Sequence, residues 1–250
     1  MDTQHDPGVA IITLSDPERR NALSVAMFDG LDMALDQIET AEAGTIRCVL
    51  IRGAGPAFCA GFDLPAVLDA PALLGDFIQR LSTAIRRLRR LTQPVVAQVH
   101  GAAIAGGCAI LSACDFVVIA NDAKVGYPVH AIGISPAVTL PTLMGAIGAG
   151  PARALVMSGK LLNGSEAFQL GLATHCVNNE DDALHQVAHK LAIELAGKPP
   201  HAVQTTKRWL NQLDSSLDDD RFDGPASQSA AEADGVEAIE MLKAAWEQRR

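Results

Sequence analysis

Several absences narrow the field at once. The five cysteines (Cys48, Cys59, Cys108, Cys114 and Cys176) are odd in number, and none stands in a CxxC pair. That pattern supports neither a disulfide framework nor a metal site, and it predicts small buried hydrophobes in a reducing compartment. No apolar run reaches the ~18 residues of a membrane span, and the first residues lack the basic-then-apolar order of a secretory leader. The expected location is cytoplasmic. Cations are in the minority, with 20 Lys and Arg against 29 Asp and Glu, a formal net charge of −9 and a pI near 5.2. Nucleic acids and anionic bilayers are therefore poor partners. Walker A, GxSxG and HExxH signatures are missing, and Gly145–Gly150 is rich in glycine without matching GxGxxG. There is no internal repeat and no low-complexity segment.

What is present is enough for a large core: 250 residues, 48% hydrophobic and only 20% charged. This suits one α/β domain, or a domain with a small appendage. Val9–Leu14, Cys48–Ile51, Val95–Val99 and Phe116–Ile119 are short apolar runs of the buried-strand type, and Leu172–Val177 is a further brief strand. Ser24 is placed to cap a helix with Met27, Leu31, Ala34, Leu35 and Ile38 on one face. A second helix covers Leu73–Leu91 and stops before Pro94, and Asn163 or Ser165 opens another. Helical periodicity continues over Ala183–Ala196, Ala202–Leu213 and Ala226–Glu247, with Asp214–Asp220 as a solvated loop between the last two. Strand–helix alternation followed by helices predicts an α/β core with a helical C-terminal region, residues 1–195 and 196–250. Arg80, Arg86, Arg87, Arg89 and Arg90 cluster on the second helix, as a solvated face or a site for an anion.

Two glycine-rich segments carry the chemical interest. Phe58–Leu64 follows the strand Cys48–Ile51, and Val96–Asp115 reads as a strand, a loop of small residues and a helix start. Small residues let a backbone pass close to a ligand, and a helix N-terminus offers unpaired N–H groups. Two such N–H groups aimed at one point make an oxyanion hole; tight packing alone is the other reading.

The second segment resembles the signature of the crotonase (enoyl-CoA hydratase/isomerase) superfamily position by position, and Ala60–Leu64 resembles its Ala-Gly-x-Asp-Leu element. Pro17–Leu23, Gly133–Pro136, Gly159 and Ala167–Leu172 extend the resemblance over most of the chain. It implies a ββα spiral fold, an acyl-CoA thioester as substrate with no other cofactor and no metal, and a homotrimer or dimer of trimers assembled through the C-terminal helices. Carried over, the oxyanion-hole amides are those of Phe62 and Gly106. Asn21, Ala22 and Leu23 fall near the adenine and pantetheine of CoA, and Ala60, Asp63, Leu64, Ala109, Tyr127 and Val129 fall around the substrate.

The departures from the family pattern matter as much. Hydratases of the family place one glutamate three residues after the central glycine and a second after a Gln-Pro pair; here those positions are Ala109 and Val129. No Asp or Glu occurs between Asp122 and Glu166. An alkyl side chain transfers no proton, so ordinary hydration is not expected. His130 is the best candidate for a substitute base, but in an extended segment it points away from Val129, which favours a structural role. Tyr127, the only tyrosine, is either structural or a hydrogen-bond partner of the acyl group. Ser135 and Thr139 are read as turn or core residues, His100 as a turn residue, Asp63 as a local cap, and Asp69 and Asp76 as loop carboxylates. The leading expectation is an acyl-CoA enzyme working through an oxyanion. A non-catalytic acyl-CoA-binding protein is the alternative, and a spiral-fold serine peptidase lacks its Ser/His/Asp set.

Overall fold

A computed structural model describes residues 2–6, 8–178, 182–233 and 235–247. Its centre is a six-stranded sheet. β1 (Asp2–Asp6) pairs antiparallel with β2 (Val9–Leu14). From β2 onward every pairing is parallel: β3 (Cys48–Gly53), β4 (Val95–Val99), β6 (Phe116–Ala120) and β9 (His175–Val177). Val49, Leu50, Ile51, Val95, Val96 and Ala97 are all fully buried. A parallel sheet covered on both faces demands such unbroken apolar runs. A second, three-stranded sheet holds β5 (Ala102–Ile104), β7 (Lys124–Gly126) and β8 (Leu161–Asn163).

The two sheets are joined by a repeated path. The chain leaves a strand of the large sheet, enters the small one, and returns through a helix. β4, β5 and α4 (Gly106–Ala113) make one such turn. In the turn before it, β3 is followed by a single parallel bridge, Cys59 to Ala103, and then by α2 (Leu64–Asp69). This is the ββα spiral.

Helices clothe the outside. α1 (Val25–Thr40) starts where Ser24 accepts a hydrogen bond from the Met27 N–H at 3.2 Å. α3 (Leu73–Arg90) runs beside it, and α5 (Leu140–Ile147) and α6 (Ala149–Ser158) meet at Gly148. α7 (Gly164–Leu170) opens with a capping box between Asn163 and Glu166. α8 (Ala183–Ala196) packs on β3, β4 and β6. Four cysteines are buried, Cys176 is half-buried, and all five are free thiols.

The second half of the chain departs from expectation in two places. Helix α9 spans Pro200–Leu213, but the expected final helix is two, α10 (Asp220–Ala233) and α11 (Val236–Glu247), divided around Gly235. The expected strand Leu172–Val177 begins only at His175. Gly171 closes α7 in the left-handed conformation, and the Leu172 and Ala173 amides both donate to Ala167 O at 2.9 and 3.2 Å, so those residues belong to a helix end. Phe222, Ala226 and Ala233 of α10 are buried, with the helix lying on α3, while α11 lies on the turn before Gly133.

The arginine cluster resolves into ion pairs. Arg80 reaches Asp29 (2.6 Å) and Asp32 (3.0 Å); Arg87 reaches Asp36 (2.6 Å) and Glu39 (2.8 Å). Arg86 and Arg90 meet Asp223 (2.9 Å) and Asp219 (2.7 Å). The cluster binds α3 to α1 and α10. Arg89 alone turns inward, buried, with Nη2 3.3 Å from Ser112 O.

Candidate functional site

The spiral brings the two glycine-rich segments side by side. The Cys59 N–H donates to Ala102 O at 2.9 Å, and the Ile104 N–H donates to Cys59 O at 3.0 Å. Phe62 and Gly106 come close beyond this bridge: a Cβ at Gly106 would stand 3.5 Å from Phe62 Cε1. Gly61 makes the approach possible. Its φ is +92°, and a Cβ there would stand 3.0 Å from Ile104 O and 3.4 Å from Ala105 Cβ.

The aim of each amide follows from peptide planarity. Gly61 O accepts from the Leu23 N–H at 2.7 Å. In a trans peptide the C=O and the next N–H point opposite ways, so the Phe62 N–H faces away from Leu23. Likewise Ala105 O accepts from the Ala109 N–H at 2.9 Å inside the first turn of α4. The Gly106 N–H therefore projects back out of the helix start, among the donors that a helix leaves unpaired. Ala105 adopts φ 52° and ψ −108°, a conformation seldom taken by a residue with a Cβ, and its own N–H is held by Gly126 O at 2.8 Å. The Gly106 position has no room for more: a Cβ would lie 2.7 Å from Leu23 Cδ1.

A cavity of about 30 Å³ opens beside these two residues. That is space for one or two waters. Phe62, Ile78, Leu81, Ala105, Gly106, Ala109, Val129, Ile134, Pro136 and Val138 line it, with Tyr127, Ser135 and Thr139 as the polar members. Ala109 and Val129 thus stand on the same small space. No Asp, Glu, His, Lys or Arg is among the lining residues. Tyr127 is buried, and burial pushes its phenol well above the ordinary tyrosine range, so it stays neutral. Its hydroxyl is 2.9 Å from Thr139 Oγ1.

Other expected residues lie around the cavity without lining it. His130 sits in a 3-10 turn, Pro128–Ile132, not in an extended segment, and it is exposed. Asn21 is fully buried, and its amide is committed to the protein itself. Oδ1 accepts from the Asp16 N–H at 2.8 Å, while Nδ2 donates to Ala54 O (2.8 Å), Ala57 O (2.7 Å) and Phe58 O (3.2 Å). It anchors the loop ahead of the first glycine-rich segment. Ala22 and Leu23 are buried beside it, and Ala60 and Leu64 are half-buried. Asp63 caps α2, accepting from the Ala66 N–H at 3.3 Å, and pairs with Arg19 at 3.3 Å. Thr139, read from sequence as a turn or core residue, proves to be both buried and part of the cavity wall.

A larger cavity, about 680 Å³, lies elsewhere, bounded by α9 and the starts of β4 and β6. Lys207 there pairs with Asp115 at 2.6 Å, and burial holds its amine below the usual lysine range. None of the glycine-rich loop residues Ala60, Phe62 or Gly106 reaches it. Size is a weaker guide than the meeting of the two glycine-rich segments, so the small cavity is the candidate site.

The whole length of the chain fits one family. Residues 4–249 match the enoyl-CoA hydratase/isomerase family model. The chain belongs to that family. A relative from Thermus thermophilus is 36% identical over 245 residues, 96% of this chain and 95% of its own. The 1,2-epoxyphenylacetyl-CoA isomerase of Escherichia coli is 33% identical over 248 residues, covering 94% of this chain and 92% of that protein. Among solved structures, an enoyl-CoA hydratase/isomerase from Xanthobacter autotrophicus Py2 superposes with a TM-score of 0.88 at 28% identity, covering 98% of this chain and 92% of the other. The family's spiral fold and the family's sequence therefore coincide here.

Proposed function

We propose that this chain is an acyl-CoA enzyme that holds the thioester carbonyl oxygen between the N–H groups of Phe62 and Gly106. Coenzyme A enters as part of the substrate, with no further cofactor. The reading is supported by the meeting of the two glycine-rich segments, which puts Phe62 and Gly106 on the wall of one cavity with Gly106 at the start of α4. Donors fixed before the substrate arrives stabilise a developing enolate oxygen without reorganising.

The cavity wall also limits the reaction. With Ala109 and Val129 in place of two acids, no lining side chain can activate water or shuttle an α-proton near neutral pH. Hydration of an enoyl-CoA is therefore disfavoured. Isomerisation with proton transfer within the substrate, or cleavage of a C–C bond onto the enolate, asks less of the protein. The same lack of an acid or base favours a second reading, a non-catalytic acyl-CoA-binding protein. A panel of acyl-CoA thioesters separates the two: calorimetry reads binding and mass spectrometry reads products. Binding with turnover supports the enzyme, binding without products supports the carrier, and no binding to any CoA ester overturns both.

For assembly, the reading is a trimer or a dimer of trimers built with residues 196–250. Trp209, Leu210 and Leu213 of α9 and Leu217 beyond it are exposed, an unusual concentration of apolar surface for a lone chain. Light scattering on the purified protein tests it, and a monomer at micromolar concentration overturns it.

A further inference from the structure

Asn21, Ala22 and Leu23, which the family resemblance sets beside coenzyme A, are all buried. Both protons of the Asn21 amide are committed to the carbonyls of Ala54, Ala57 and Phe58, at 2.8, 2.7 and 3.2 Å, so its side chain has no donor to offer a ligand. These carbonyls belong to the loop that leads from β3 into the first glycine-rich segment. Arg20 and Asn21 both take the left-handed conformation, with φ 52° and 56°, which asparagine tolerates better than most residues.

From Asn21 onward the chain runs alongside that segment. The Ala60 N–H donates to Arg20 O at 3.0 Å, the Leu23 N–H to Gly61 O at 2.7 Å, and the Asp63 N–H to Leu23 O at 3.2 Å, around a parallel bridge between Leu23 and Phe62. The Gly61 C=O and the Phe62 N–H share one rigid peptide plane, so the Leu23 N–H that grips the carbonyl also fixes the direction of the Phe62 N–H. Leu23 reaches the other segment too. Its Cδ1 lies 2.7 Å from where a Gly106 Cβ would stand, against the start of α4. The segment held by Asn21 therefore touches both residues whose amides the proposed function uses.

We propose that Asn21 is a positioning residue of the thioester site, acting through Leu23 on the Phe62 peptide and on Gly106. The inference rests on the acyl-CoA reading above, and it moves residues 21–23 from coenzyme A recognition to the alignment of the oxyanion donors. Without the Asn21 amide, three buried carbonyls lose their donor and the Arg20–Leu23 segment is free to shift. A donor swung off line loses most of its hold on a carbonyl oxygen.

The test reads the thioester carbonyl itself. Crotonyl-CoA isotopically labelled at the carbonyl carbon is bound to the wild type and to Asn21→Gly, which suits the left-handed backbone and removes only the side-chain amide. Isotope-edited infrared spectroscopy then gives the carbonyl stretch of the bound ester. In the wild type the stretch falls below that of the free ester; in Asn21→Gly most of that shift is lost while Kd stays within about tenfold. A merely structural Asn21 would lower the melting temperature and leave the stretch of the bound ester unchanged, and that result overturns the inference alone. A wild type that does not bind the ester, or binds it without a shift, overturns the inference together with the oxyanion reading. Amide hydrogen exchange on the wild type needs no variant: the Leu23 N–H is expected among the slowly exchanging amides before any ester is added. Exchange that slows only on binding shows that the ligand orders this segment, and it overturns the inference even where Asn21→Gly does not fold.

Discussion

The two sides of helix α3 meet opposite surroundings. Inward, Ile78 and Leu81 help close a cavity with no charged side chain in its wall. Outward, Arg80, Arg86, Arg87 and Arg90 meet Asp29, Asp32, Asp36, Glu39, Asp219 and Asp223 in a lattice of ion pairs. The protein has 29 acidic residues, so the bare cavity does not reflect a shortage of carboxylates. Charge is placed where water shares the cost of holding it. At the proposed thioester site, only backbone dipoles and hydroxyls remain. The seam fastens helices; in the proposed function the cavity acts through N–H groups that neither titrate nor need a counter-ion.

The sharpest way to break this contrast is to ask the cavity for acid–base work. Wild-type protein should hydrate crotonyl-CoA ~10²–10⁴-fold more slowly than an ordinary hydratase, the usual contribution of a positioned acid–base group. Loss of the conjugated-thioester absorbance measures it. A turnover within tenfold of a normal hydratase would mean that His130, or another residue outside the wall, reaches the substrate.

Next in size is damage to the donors themselves. Gly106→Val puts a branched side chain where even a Cβ would stand 2.7 Å from Leu23 Cδ1, and it displaces the amide. About 3 kcal/mol of transition-state stabilisation, roughly a hundredfold in rate, should go. A variant with wild-type fold by circular dichroism and full activity on the identified substrate would show that the Gly106 amide is not a donor.

Alkaline titration sharpens the contrast from a different direction. Burial raises the thiols of Cys59 and Cys108 from 9.0 to about 12, and it raises the phenol of Tyr127 as well. Groups with raised folded-state pKa values favour the native state fully below their unfolded values. For the two thiols that contribution is lost as pH climbs from about 9 towards 12, at about 1.4 kcal/mol per pH unit for each. Arginines stay charged throughout, so the core gives way while the seam keeps its pairing. Urea midpoints at successive pH values measure the decline. A flat profile between pH 9 and 11 would argue that these groups are open to water.

The smallest effect is expected at the seam. Arg87→Met keeps much of the apolar stem and loses the contacts to Asp36 and Glu39, both partly exposed. The loss should be at most about 1 kcal/mol and should shrink in high salt. A cost of several kcal/mol in thermal or chemical melts would place the seam, not the buried core, at the centre of stability.

Much of the fold was legible in the sequence, because its signals are local. Ser24 and Asn163 announce their helices by capping, and Cys48–Ile51 and Val95–Val99 announce buried parallel strands by unbroken apolar runs. The errors arose where a signal was present but overridden. Gly235 interrupts a helical periodicity that otherwise runs from Ala226 onward, and Leu172 and Ala173 look like strand residues but finish a helix. The site was legible only as far as the glycine-rich motifs and the two missing acids reach. Thr139 carries no local signature. Its place in the wall depends on how the segment after Gly133 folds back onto α4, which sets its hydroxyl near Tyr127 and Ser112 across long stretches of chain.

Ala105 shows when the difficulty of aiming a donor is met. Its φ of 52° and ψ of −108° orient the next peptide, and a conformation so rarely populated by alanine costs about 1–3 kcal/mol. Hydrogen bonds to Gly126 O and from the Ala109 N–H hold it in place. The strain is therefore incurred once, when the chain folds, and it is not repeated at each encounter with the proposed thioester substrate. A flexible loop would reverse this order: it would fold more readily, then need to reorient its dipoles in every catalytic cycle, and that reorganisation would be added to the barrier.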